Sequence, residues 1–357
     1  MLKNQLVGKY LLLLFFFVAT GYNAFAYNFS APAATSQILY YNILTDSTVA
    51  VTYPNHVGSS YYSGYAMPTG NLLIPSTVSH ADVTYKVVSI DDYAFYACSG
   101  LTGIIVPNTV QSIGNNSCAN CSGLVSIFLS NSVTSLGDNA FNGCSSLTSA
   151  TIPNSVSLIG VGTFQGCSDL ASVAFGSGLT AIGSLAFEGC SSLTSVTIPN
   201  TVIRIGNYAF GICHGVASLH ISSSIKHLKN NTFASCQTLE HVSVPEGIES
   251  IGLDCFANCL KLSHISLPST LQSMDRGVFF NCPSLLSITL PASLRSIEHY
   301  AFYKCDALTD VHCLSPEPPA IGMVFDRSDI RVHVPLTSVE KYRRDKDWGR
   351  LEIVAIE

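Results

Sequence analysis

The 357-residue chain is short of charge: 11% of it is Asp, Glu, Lys or Arg, while 47% is hydrophobic. An average soluble domain carries roughly 25% charged residues. A disordered chain combines low hydrophobicity with high net charge, so that class is excluded. Lys and Arg number 17 against 23 Asp and Glu, a formal charge of −6, so there is no basic surplus to neutralise phosphates and nucleic acid is not an expected partner. After residue 26 no apolar run reaches the roughly 20 residues that span a bilayer, and no membrane span is expected. Also missing are G-x-S-x-G, H-E-x-x-H and a Gly-rich phosphate loop, the local patterns of nucleophilic, zinc and phosphate chemistry. The expectation is therefore no enzyme, no catalytic residue, no resident metal and no cofactor.

What is present begins with a leader. Lys3 and Lys9 precede the apolar run Tyr10 to Ala19, and Ala24-Phe25-Ala26 places small residues where a signal peptidase reads them. A core of about ten residues suits a signal peptide and is too short for a membrane helix. Cleavage is expected after Ala26, with the product secreted or at the cell surface; the periplasm is the other compartment such a leader serves. No Cys follows the cleavage site, which argues against a lipid anchor.

Thirteen Cys fit an exported chain, but their spacing matters more than their number. Ten of them, from Cys98 through Cys190 to Cys305, stand at steps of 23 residues without an insertion. Three residues before each stands Phe, from Phe95 to Phe302, except that Cys118 takes one place. Three residues after each stands Leu, or Val216 in one case. Branched apolar residues follow at the sixth and eighth places, as in Val196 and Ile198, often with Pro next. A further pair such as Val202 and Ile205 is commonly closed by Gly, as at Gly206.

This unit reads as structure. Leu-x-x-Val-x-Ile alternates in its second half, so Val and Ile face inward and the residues between them outward. Pro ends the strand's hydrogen bonding. Val-x-x-Ile-Gly predicts a second short extended segment, and Ala-Phe-x-x-Cys a short helical or 3₁₀ turn that tucks Phe inside. One copy buries too little to fold alone, whereas stacked copies share a core.

The unit resembles the BspA-type leucine-rich repeat of bacterial surface and secreted proteins, over roughly residues 86 to 308. The flanks are similar too: Tyr40 to Ile43 through Ile74-Pro75 at one end, and Val332 to Pro335, Val339 to Tyr342, Trp348 and Ile353 to Ile356 at the other. The resemblance implies an α/β, β-dominated repeat fold: a right-handed leucine-rich-repeat solenoid of about ten 23-residue repeats with both ends capped. The expected layout is a signal peptide over 1–26, an N-terminal cap over 27–85, repeats over 86–308 and a C-terminal cap, a closing strand–helix–strand, over 309–357. Ten turns at the parallel-strand spacing make a rod or shallow arc about 45–50 Å long. Adhesion-type recognition of host matrix or of another cell surface is what the resemblance implies for function, with the chain a monomer.

The Cys ladder has two readings. Neighbouring turns sit about 4.8 Å apart, within disulfide reach; side chains in register, however, point the same way, which favours a column of small buried thiols beside the Phe column. Metal binding by Cys needs closely spaced pairs, and the ladder has none.

Candidate binding residues lie on the outward strand positions, on a sheet face taken to be concave by analogy with other leucine-rich repeats. One column contains Ser149, Ser172, Ser195, Ser218, His241, His264 and Ser287; its neighbour contains Phe128, Thr151, His220, Ser243, Ser266 and Thr289, with Thr197 among them. Asp310 and His312 continue the two columns. Most of this is short hydroxyl side chains, suited either to binding a protein or glycan or to serving as a plain soluble face. His220, His241 and His264 converge there, and three imidazoles with an open position are a zinc or copper pattern or a pH-sensitive contact; no outward carboxylate accompanies them, which makes metal-dependent activity the weaker reading. Ile105 and Phe128 form an apolar outward pair that binds a partner or packs under the N-terminal cap, the cap suiting Ile105 better. The alternative to recognition is a structural or envelope-assembly scaffold whose sheet face has no ligand.

Overall fold

The computed structural model of the protein describes residues 27–55 and 60–356. The leader expected over 1–26 lies outside them.

Each turn of the solenoid has three sides. The first is a short strand such as Ser195–Thr197, with Val196 buried and its two neighbours exposed. The second is a two-residue strand such as Arg204–Ile205, with Ile205 buried. Gly206 after it sits where an added Cβ would lie 2.3 Å from the backbone nitrogen of Ser184. Successive first-side strands are parallel and in register, Ser195 beside Ser218 and His241 beside His264.

The third side departs from the expected helical turn. Local bonds from Cys190 N–H to Phe187 C=O (3.2 Å) have the reach of a 3₁₀ turn, but two residues in each turn of the Cys ladder are left-handed, one two places before the Phe position and one two places after it. Leu185 and Gly189 flank Phe187 in this way, and Tyr208 and Ile212 flank Phe210. The reversals free alternate amides to bond the following turn, as Phe187 N–H does to Ala209 C=O at 2.8 Å. The third side is thus a ladder in its own right, and buried backbone groups find partners along the stack.

The two sheets are knit differently. On the first side strands hydrogen-bond in groups: Ser149–Thr151 with Ser172–Ala174, Ser195–Thr197 with Ser218–His220, and His241–Ser243 with His264–Ser266, with loose seams between the groups. On the second side pairing runs unbroken from Thr48–Thr52 to Arg204–Ile205, stops, and resumes from His227–Leu228 to Ala320–Ile321.

The core is columnar. Phe141, Phe164, Phe187, Phe210, Phe233, Phe256, Phe279 and Phe302 are buried and stacked, with centroids 5.1–5.8 Å apart, and Phe325 extends the stack by one further turn. All thirteen cysteines are buried and free. Nine of the ladder thiols donate to a main-chain carbonyl one turn earlier at 3.0–3.6 Å, as Cys190 does to Phe164, and Cys144 does so to Cys118 where Cys holds the Phe place.

The stack has about twelve turns rather than ten, because end segments that break the 23-residue step also supply rungs; at the same strand spacing that is about 55–60 Å. At the N-terminal end Phe29–Pro32, Ile38–Thr45 and Thr48–Thr52 form an antiparallel meander that joins Val83–Ile90. At the other end strand Arg331–Pro335, helix Val339–Arg344 and strand Glu352–Ile356 close the core. Trp348 is fully buried beneath them, donating from Nε1 to the Pro319 carbonyl at 2.8 Å. Among the described residues no helix is long and apolar enough to cross a membrane.

Candidate binding face

Alternation puts every second residue of the first-side strands on the surface, and the in-register stack aligns these residues into two columns. Phe128, Ser149, Thr151, Ser172, Ser195, Thr197, Ser218, His220, His241, Ser243, His264, Ser266, Ser287 and Thr289 are all exposed there. Adjacent hydroxyls bond along a column, Ser266 Oγ to Ser243 Oγ at 3.1 Å.

The columns are chemically graded. At the N-terminal end Leu73, Ile105 and Phe128 are successive in register. They are 40%, 48% and 62% exposed. The N-terminal cap therefore does not cover Ile105: one of its strands, Gly70–Leu73, lies beside Leu101–Ile105 as one more rung of the sheet and adds an apolar residue to the strip.

Hydroxyls occupy the middle, and imidazoles follow. The rings of His241 and His264 lie 5.1 Å apart, and His264 Nδ1 is 2.9 Å from Ser263 Oγ. They border a shallow depression of about 470 Å³, also lined by Leu219, on the loose seam before His241–Ser243. His220 is exposed in the neighbouring column beside Thr197. Among the described residues no group of three or more His, Cys, Asp or Glu is placed to hold a metal ion, so the three imidazoles are not brought together as a ligand set.

The C-terminal end is charged, and here sequence reasoning fell short. Asp310 is followed in its column by Arg331 and Glu352, and His312 by His333. The step from Asp310 to Arg331 is 21 residues, so a search at 23 passes over Arg331, His333 and Glu352; the valine alternation around His333 was the signal that could have placed them. The rings of His312 and His333 stack at 4.4 Å. His333 Nε2 lies 2.8 Å from Asp310 Oδ1, and Arg331 bridges Asp310 at 3.7 Å and Glu352 at 3.6 Å. The hydrogen bond with His333, then that donated by the Thr309 hydroxyl, holds the Asp310 carboxyl below the usual carboxylate range.

The sequence matches the BspA type leucine rich repeat region in six copies, over residues 88–217 and 180–309. The chain belongs to the BspA-type leucine-rich repeat family. This BspA-type chain is similar in fold to a leucine-rich repeat protein from Bacteroides ovatus, with 22% identity and a TM-score of 0.53 over 93% of this chain and 100% of that one. A leucine rich cell surface protein from Faecalibacterium prausnitzii is 23% identical with a TM-score of 0.48, over 92% and 95% of the two chains. The pneumococcal vaccine antigen PcpA is 16% identical with a TM-score of 0.49, over 93% and 99%. No curated protein matches this BspA-type sequence.

Proposed function

We propose that this BspA-type protein is an exported, non-catalytic recognition protein that binds a protein or glycan on its first sheet face, in the manner of an adhesin at a cell surface. The observation that carries this reading is the strip Leu73–Ile105–Phe128. Three large apolar side chains stand in register and exposed at one end of a face whose other outward positions are mostly polar. Contiguous exposed apolar surface rimmed by polar residues marks interaction sites, and a solvent-facing Phe is an anchor for a partner's pocket.

The test is a screen of the purified protein against immobilised matrix proteins and a glycan array, near pH 7.4 and near pH 5.5. A ligand is expected whose affinity falls at least tenfold in Phe128→Ser and again when His220, His241 and His264 are replaced by Ala. A ligand untouched by both variants moves recognition off this face, and no ligand at either pH leaves the scaffold role.

A further inference from the structure

Among the described residues the second sheet has a single break, between the turns carrying Arg204–Ile205 and His227–Leu228. On either side the ladder is regular: Ile203 N–H bonds Thr180 C=O and Gly206 N–H bonds Ile182 C=O, while Glu249 N–H bonds Lys226 C=O and Gly252 N–H bonds Leu228 C=O, all at 2.8–2.9 Å. Across the break, among the described residues, the amides of Lys226 and Lys229 have no such bond. A cleft of about 720 Å³ opens here.

Its lining is unlike the rest of the protein. Arg204, Lys226 and Lys229 face it, and no Asp or Glu does, although acidic residues outnumber Lys and Arg in the whole chain. Among the described residues Lys226 has one ion pair, an exposed 3.8 Å contact with Glu249 of the next turn. Apolar side chains are exposed in it as well: Leu158 and Val161 from one turn and Ile203 beside Arg204 are 52%, 42% and 53% exposed. Asn207 and Asn230 add amides to the lining.

We infer that this cleft is a second binding site, for a glycan bearing sulfate or carboxylate groups. The cations meet the anionic groups, the Asn amides meet ring hydroxyls, and Leu158, Val161 and Ile203 meet the C–H faces of the sugar rings. An acidic polypeptide strand is the poorer fit. Insertion between two turns needs about twice the 4.8 Å strand spacing, yet the flanking turns remain side by side, with Phe210 and Phe233 rings 5.8 Å apart and Tyr208 N–H bonded to Asn230 C=O at 2.9 Å. The site is independent of the sheet face proposed above.

The test uses the full purified chain, a sulfated oligosaccharide of about eight sugars, its desulfated counterpart and a poly-glutamate peptide, followed by calorimetry and amide exchange. Expected are binding of the sulfated sugar alone, weakening as salt rises, slowed exchange at Lys226 and Lys229, and at least tenfold loss in Arg204→Gln/Lys226→Gln/Lys229→Gln. These three side chains are exposed, so that variant is expected to fold, and Phe128→Ser should bind the sugar as the parent does. Equal binding of the desulfated sugar, unaltered binding by the triple variant, no binding at all, or preference for poly-glutamate each overturns the inference, the last in favour of an acidic protein partner.

Discussion

At the scale of single residues, the ladder thiols from Cys121 to Cys305 do two things at once: each fills a small volume in the core and gives a main-chain carbonyl its extra hydrogen bond. Burial pushes the thiols of Cys167, Cys213, Cys259 and Cys305 up to about 12, and the thiolate is the reactive form. The native protein is therefore expected to resist iodoacetamide near pH 8 and to take up thirteen labels once denatured, a difference read by intact mass; rapid native labelling would mean that the column is open. Cys190→Ala should cost about 1–2 kcal/mol, from a lost hydrogen bond and a small void, measured by urea denaturation. Ile212 is a different case, since a β-branched residue at φ 59° sits where sterics oppose it by roughly 1–2 kcal/mol. Ile212→Gly is expected to raise stability by up to about 1 kcal/mol, part of the relief being offset by a freer unfolded chain.

At the scale of elements, the stacked Phe rings hold each turn to the next, and Phe187→Ala is expected to cost about 3–5 kcal/mol, read as a lowered urea midpoint. Strand positions were legible in the sequence because Val196 and Ile198 alternate against Ser195 and Thr197, the simplest pattern a half-buried strand makes. The left-handed residues were not: Gly189 announces one, but Leu185, Tyr208 and Ile212 hold equivalent places and carry no turn chemistry. The broken second sheet was hidden for a related reason. Lys229 stands where most turns have Gly, yet Asp275 and Glu298 occupy the same place with their ladder bonds intact at 2.9 Å. The candidate face was legible as far as Thr289 and His312; past that the step shortens and the columns continue unseen to Arg331, His333 and Glu352.

At the scale of the whole molecule, a core lined with neutral thiols ties stability to alkalinity. Raised thiol values mean that the folded state stays protonated while the unfolded chain, with thiols near pH 8.5, ionises. The contribution of Cys167, Cys213, Cys259 and Cys305 is complete below that pH and is lost as pH rises toward about 12, at roughly 1.4 kcal/mol per pH unit for each of them. Cooperative unfolding between about pH 9 and pH 12 is the expected outcome of a circular-dichroism titration; stability unchanged at pH 10.5 would contradict the buried, protonated column. The overall architecture was readable because nine consecutive steps of 23 residues leave one way to stack them. The full number of turns was not, because the ends keep the inward apolar pattern and abandon the step.

That constant step has a consequence for how such a molecule changes over generations. Interior turns offer one another nearly the same upper and lower surfaces, so a duplication or deletion of 23 residues anywhere among them lengthens or shortens the rod by about 4.8 Å and leaves both ends seated as before. Reach is thus a quantity this chain inherits in whole increments, set by copy number rather than by the substitution of any side chain.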